Sequence, residues 1–171
     1  SLTIDETIQY FCERELDGLM PQENKPKGVT ALVMRPETGE ILAMGSRPTY
    51  DPNNYGQYET IDYRNKAVSD SYEPGSTFKI LVSAAALEEG VVTPEERFYD
   101  PGYIKVGKER IRCWRHYRPH GSQSFTEVVQ NSCNPGFVEI GLRLEKKSEG
   151  LLYKYLKAFG IGSKTGVQLP G

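Results

Sequence analysis

The segment that most constrains the fold is the alanine-rich run from Phe78 to Leu87, entered through Pro74-Gly75 and closed at Gly90. Alanine and leucine favour the helix, and a glycine just past the last turn supplies the left-handed residue on which helices end. So apolar a helix has to be covered by other elements, which requires a layered domain built around it. We therefore expect a buried helix that starts immediately after Pro74-Gly75. The remainder of the chain can supply the cover. With 171 residues, 37% of them hydrophobic and 26% charged, it holds enough apolar material for one ordinary domain and is not composed like a disordered chain. A net charge of −2, with both signs mixed along the sequence, leaves no basic stripe, so nucleic acid is not an expected partner.

The flanking segments alternate helix and strand signals. Thr3 followed by Glu6 has the spacing of a capping box, and Ile8, Phe11, Cys12, Leu16 and Leu19 recur at helical spacing, which predicts a helix over 4–17 closed near Gly18. On that stripe Cys12 reads as a core thiol. A loop with Pro21 and Pro26 follows. Val29, Ala31 and Val33, then Ile41, Ala43 and Gly45, bracket Pro36-Glu37-Thr38-Gly39 as a β-hairpin. Residues 46–65 are rich in Pro and Asn and read as a long irregular segment of the kind often tied to function. Beyond Gly90 come short strands such as 103–106, a helix over 125–130 capped by Ser124, and a turn at Ser132-Cys133-Asn134. Two more helices follow, one entered at Pro135 and reaching about Lys147, the other spanning about 149–159. The expected class is mixed α/β, of the α+β kind.

The chemistry concentrates at Ser76-Thr77-Phe78-Lys79. Residues three apart on a helix share a face, so the Ser76 hydroxyl can meet the Lys79 amine. A serine hydroxyl is a poor nucleophile until a neighbouring base takes its proton, and a lysine can do so only when neutral. Burial and the positive end of the helix dipole both favour the neutral amine at a first-turn position. The free backbone N–H groups of that turn suit an oxyanion. S-x-x-K by itself also fits a helix cap beside a snorkelling lysine. The longer string YEPGSTFKI, with its proline-glycine entry and apolar continuation, is far more specific. The second element is Ser132-Cys133-Asn134, whose hydroxyl and carboxamide could relay a proton and hydrogen-bond a substrate backbone.

S-x-x-K followed by S-x-N is shared by penicillin-binding proteins and serine β-lactamases, where a K-T-G strand completes the set. The strings SRPTYDPN, RNKAVSDSYEPGSTFK, FTEVVQNSCNPGFVEIGLRL and FGIGSKTGVQLPG extend the likeness from Leu2 to Gly171, and the chain resembles class B penicillin-binding proteins, most of all their sporulation-specific stage V type. The resemblance implies a partial penicillin-binding protein/serine β-lactamase-like fold and a D,D-transpeptidase that forms an acyl-serine intermediate without a cofactor. Peptidoglycan stem peptides ending in D-alanyl-D-alanine would be its substrates, β-lactam antibiotics its covalent ligands, and cell-wall synthesis proteins its possible partners. It further implies Ser76 as nucleophile, Lys79 as base, and Ser132 and Asn134 as the second motif. A place at the extracytoplasmic face of the bacterial membrane follows from the same likeness, with any anchor outside these residues.

Lys164-Thr165-Gly166 spells the third motif, but it stands in a turn-rich stretch running into Pro170-Gly171, unlike a core strand. We expect the catalytic K-T-G strand to lie downstream, so that residues 1–171 form the N-terminal portion of the transpeptidase domain, truncated before that strand and weakly active or inactive alone. The ends support this reading, since the chain starts at Ser1 rather than methionine and stops in what reads as a loop. The alternatives are a serine β-lactamase or β-lactam sensor, and a non-catalytic scaffold or partner-binding piece.

Cys12, Cys113 and Cys133 show no paired metal-ligand spacing. His116 and His120 are four apart, but Pro119 between them argues against the helix that would make them a metal pair, so no metal is expected. For Cys113 and Cys133 two readings stand. Either they are ordinary reduced thiols, or they are a redox pair closing a loop of about 20 residues, worth about 3 kcal/mol if unstrained. The pair would require Cα atoms within about 7 Å.

Overall fold

A computed structural model describes residues 2–20 and 26–169, which fall into two units. One comprises the residues up to Tyr72 together with Gln168 and Leu169; the other runs from Glu73 to Val167. Part of the expected loop at Pro21 and Pro26, and the Pro170-Gly171 end, lie outside the described residues.

In the first unit, helix α1 (Glu6–Leu19) packs on an antiparallel hairpin of β1 (Val29–Met34) and β2 (Ile41–Arg47). The expected hairpin is present, with Val33 opposite Ala43 and Ala31 opposite Gly45. Its apolar contact is narrow. Leu16 and Ala43 are buried, and a Cβ built on Gly45 would stand 2.8 Å from Leu16 Cδ1, so only glycine lets the helix approach so closely. The Gln9 amide seals the contact, donating to the Met44 carbonyl (2.9 Å) and accepting from the Met44 N–H (2.9 Å). Two details differ from expectation. Asp5, not Thr3, caps α1 by accepting from the Ile8 N–H at 3.0 Å, because the Thr3 hydroxyl donates to the Ile41 carbonyl at 2.6 Å. Cys12 is half-buried rather than a core thiol, since a two-stranded hairpin is too small to cover the whole stripe and leaves Phe11 and Leu19 exposed. The irregular stretch folds as short 3₁₀ turns, Pro52–Gln57 and Thr60–Tyr63, before the single helical turn α2 (Lys66–Ser69).

The second unit forms around α3 (Lys79–Glu88), preceded by a 3₁₀ turn at Gly75–Phe78. Strands β3 (Arg97–Asp100) and β6 (Gly121–Ser124) pair antiparallel, and between them in sequence lies the hairpin β4 (Tyr103–Val106) and β5 (Glu109–Arg112). Then come α4 (Phe125–Gln130), α5 (Asn134–Lys147) and α6 (Leu151–Ala158). Serine 124 caps α4 in a reciprocal box with Glu127, as its position before Phe125 suggested. The core joins Val82, Ala85 and Ala86 of α3 to Phe137, Ile140 and Leu144 of α5. Each large side chain buried there contributes about 1.5–3 kcal/mol. The expected helix is present, but α3 buries one face only. Its partners α5 and α6 cover Val82, Ala85 and Ala86, while Ile80 and Leu87 are exposed.

Candidate active site

Gly75 opens the site. Its φ of +59° turns the chain into the 3₁₀ segment, a conformation that glycine adopts without the Cβ clash other residues meet. In a 3₁₀ turn the side chains at i and i+3 eclipse, which brings Lys79 Nζ to 3.2 Å from the exposed Ser76 Oγ. The expected pairing is present, although the turn is tighter than the α-helical entry the sequence suggested.

Lys79 Nζ also lies 2.8 Å from the Ser132 carbonyl, 3.0 Å from Ser132 Oγ and 2.6 Å from Asn134 Oδ1. Four oxygens thus surround one nitrogen. Two of them, the carbonyl and the carboxamide oxygen, can only accept. A neutral amine meets this set well: its two protons serve those acceptors and its lone pair faces a serine O–H. Burial pushes the Lys79 pKa below the usual lysine value, and the Cys133 and Cys113 thiols oppose that fall only in part.

The second motif is held from behind. Ser132 has a φ of +50°, an uncommon value for a residue with a side chain and one that recurs at functional turns. The Asn134 amide donates to the Arg112 carbonyl (2.9 Å), and the Trp114 indole donates to the Asn131 carbonyl (2.9 Å), so both ends of the turn hang on the end of β5 and the residues just after it. Cys133 is fully buried and caps α5, whose proline falls one residue further in than expected. At Gly136 an added Cβ would meet Val128 Cγ1 at 2.7 Å, so α4 and α5 need this glycine to come together at the turn.

Behind the turn the structure gathers four side chains that sequence spacing did not connect. Ligand atoms of Asp100, Cys113, His120 and Cys133 all lie within 4.8 Å of one another. The Asp100 carboxylate accepts from the Gly102 N–H at 2.7 Å and from the His120 N–H at 3.2 Å, and its Oδ2 is 2.8 Å from His120 Nδ1. Burial pushes the Asp100 pKa up, but hydrogen bonds from Cys113, Gly102 and His120 outweigh it and bring the carboxyl to about 2. Burial and the Asp100 carboxylate push the Cys113 thiol up to about 12, and burial raises Cys133 as well. Both are free thiols placed close together. His116 stands apart, against the Tyr117 ring.

Lys164-Thr165-Gly166 lies in an exposed stretch without strand structure, and among the described residues no strand follows β6. The structure therefore brings together Ser76, Lys79, Ser132 and Asn134, and leaves the K-T-G string in a loop.

Residues 29–171 match the family described as penicillin binding protein transpeptidase domain. The chain belongs to this family. It is 50% identical over 172 residues to stage V sporulation protein D of Bacillus subtilis, covering 99% of this chain and 26% of that protein. It is 35% identical over 173 residues to penicillin-binding protein PbpB of Mycolicibacterium smegmatis, again covering 99% and 26%. The fold matches a peptidoglycan glycosyltransferase from Burkholderia ambifaria with a TM-score of 0.82 and 27% identity, covering all of this chain and 48% of that one. The chain thus spans about a quarter of the length of these curated relatives. The mixed α/β class read from the sequence agrees with this family.

Proposed function

We propose that this chain carries the nucleophile side of a peptidoglycan D,D-transpeptidase. The observation that supports it most is Lys79 Nζ standing within hydrogen-bond reach of both Ser76 Oγ and Ser132 Oγ, 3.2 and 3.0 Å away. Neutral Lys79 accepts the Ser76 proton as Ser76 Oγ bonds to the carbonyl carbon of the penultimate D-alanine in a stem peptide. The peptide C–N bond then breaks, and the proton reaches the departing D-alanine amine through Ser132. An acceptor amine attacks the acyl-serine ester, and the same groups return the proton to Ser76. Asn134, fixed by Lys79 and the Arg112 carbonyl, presents its remaining amide proton to the substrate backbone. A β-lactam follows the first half of this path, but its leaving amine stays tethered, so the acyl-serine persists.

On this reading Lys164 is not catalytic, and a strand bearing a cation and a hydroxyl must face Ser76 from elsewhere in the protein. Residues 1–171 alone should therefore acylate slowly, since losing a single oxyanion donor typically costs about 10²–10³ in rate. Acylation of residues 1–171 at the rate of the intact protein would count against that assignment. The setting is the extracytoplasmic face of the membrane, where peptidoglycan is built. No helix among the described residues is long and apolar enough to cross a membrane.

The test is labelled penicillin added to the intact protein. A long-lived adduct, together with release of D-alanine from a stem peptide in the presence of an acceptor amine, supports the transpeptidase. Rapid release of the label would make it a β-lactamase, and a stable adduct without D-alanine release a sensor. No adduct would leave a scaffold.

A further inference from the structure

Charge is mixed along the chain as a whole, but not in the hairpin beside the second motif. Residues 103–118 hold six lysines and arginines and a single carboxylate, that of Glu109. Strand alternation sorts them into two faces. Ile104 and Ile111 stand opposite one another and are partly buried, and α5 packs on both strands. The other face carries Tyr103 opposite Arg112 and Lys105 opposite Arg110. Glu109 shares its face with Ile111, so no acid stands among these cations. All six lysines and arginines are exposed, and among the described residues none of them forms an ion pair. Like charges directly opposite one another weaken a ladder, so Lys105 and Arg110 face each other at a cost that a bound anion would relieve.

The same face is concave. Tyr103, Arg110 and Arg112 of the hairpin, with His116 and Tyr117 of the loop after β5, line a cleft of about 330 Å³. The loop closes on the hairpin because position 102 is glycine. Its φ is +93°, and an added Cβ would stand 3.0 Å from Pro119 Cγ and 3.1 Å from the His116 carbonyl oxygen. The Arg110 guanidinium lies over the Tyr103 ring, with Cζ 3.7 Å from its centroid. Such stacking pre-organises a planar fork that can grip a carboxylate through two parallel N–H···O bonds.

We propose that this cleft is a carboxylate pocket for the stem peptide, taking an acidic group upstream of the D-alanyl-D-alanine end. The pocket presupposes the transpeptidase reading and adds to it a determinant of substrate choice. Its place supports a peptide over a free polyanion. The Arg112 carbonyl that lines up Asn134 belongs to the same residue whose side chain enters the cleft. Arg112 Cα is therefore about 5 Å from Asn134 Nδ2, and Arg110, on the same face, is about 7 Å further along β5. A peptide whose backbone meets Asn134 covers that span in about three extended residues.

The test measures D-alanine release by the intact protein, with an acceptor amine, from two stem peptides. They differ only in an upstream group, a free carboxylate in one and its carboxamide in the other. The acidic peptide should have the lower KM by about ten- to a hundredfold at similar kcat, the range for charge-assisted hydrogen bonds that are made before and during reaction. Arg110→Gln should bring the two KM values together, whereas Lys146→Gln, an exposed charge on α5, should leave the preference in place. Each variant is first shown to form the penicillin adduct, which requires a folded site, and the comparison in the unaltered protein is the deciding one. Equal KM values there overturn the pocket, as does a preference that survives Arg110→Gln or falls equally in Lys146→Gln. Retention on polyphosphate without any peptide preference would make this a phosphate-binding face and also overturn it. Penicillin adduct formation without release from the acidic peptide counts against the pocket alone. No reaction with penicillin or with either peptide refutes the transpeptidase reading, and the pocket with it.

Discussion

On the proposed mechanism Lys79 has two tasks, and replacing it separates them, because one substitution removes the proposed base and another removes it together with the anchor. Arginine keeps a cation that can donate to the Ser132 carbonyl and Asn134 Oδ1, now 2.8 and 2.6 Å from Nζ, but it cannot become neutral near physiological pH. A positioned general base contributes about 10²–10⁴ in rate, so Lys79→Arg should lower the penicillin acylation rate by about that factor. Its unfolding midpoint should stay close to that of the unaltered protein. Methionine removes both functions. Two half-buried acceptors lose their donor, at about 1 kcal/mol each, so Lys79→Met should lose about 2 kcal/mol of stability along with the rate. The assay pairs stopped-flow acylation by a fluorescent penicillin with urea denaturation of the same preparations. Lys79→Arg acylating within about tenfold of the unaltered protein would refute lysine as the base. An unchanged midpoint for Lys79→Met would refute its role in anchoring the turn.

Acylation should rise with pH toward a plateau, with an apparent pKa below the 10.5 of an ordinary lysine, because burial favours the neutral amine and only that form accepts the serine proton. A rate that falls as pH rises from 6 to 9 (roughly the range in which such a base titrates) would contradict this sign. Gly136→Ala should destabilise the protein by about 1–3 kcal/mol in urea denaturation, since the new methyl meets a buried, β-branched Val128 at 2.7 Å; an unchanged midpoint would show that the contact relaxes freely.

How much of this was legible in the sequence depends on the range of each contact. Ser76 and Lys79 are three residues apart, so any helical turn brings them together, and only its 3₁₀ tightness had to be seen. Ser124 and Glu127 form their box for the same local reason. The joining of Ser132 and Asn134 to Lys79 was readable only through family likeness, because more than fifty residues intervene. The cluster of Asp100, Cys113, His120 and Cys133 was not legible. Its members meet through two ladder registers and a helix cap, and no ligand spacing announces them. The sequence offered only His116 as a near neighbour of His120, a pairing that Pro119 argues against, while the fold pairs His120 with Asp100 across a strand end. The cap of α1 was misplaced because Thr3 has the right spacing for a cap but uses its hydroxyl on Ile41.

On the proposed mechanism Ser76 is the nucleophile. Peptide mapping by mass spectrometry after reaction of the intact protein with penicillin tests it most directly. One covalent adduct is expected, on the peptide containing Ser76, and none in Ser76→Ala. An adduct on Ser132, or one that persists in Ser76→Ala, would contradict it.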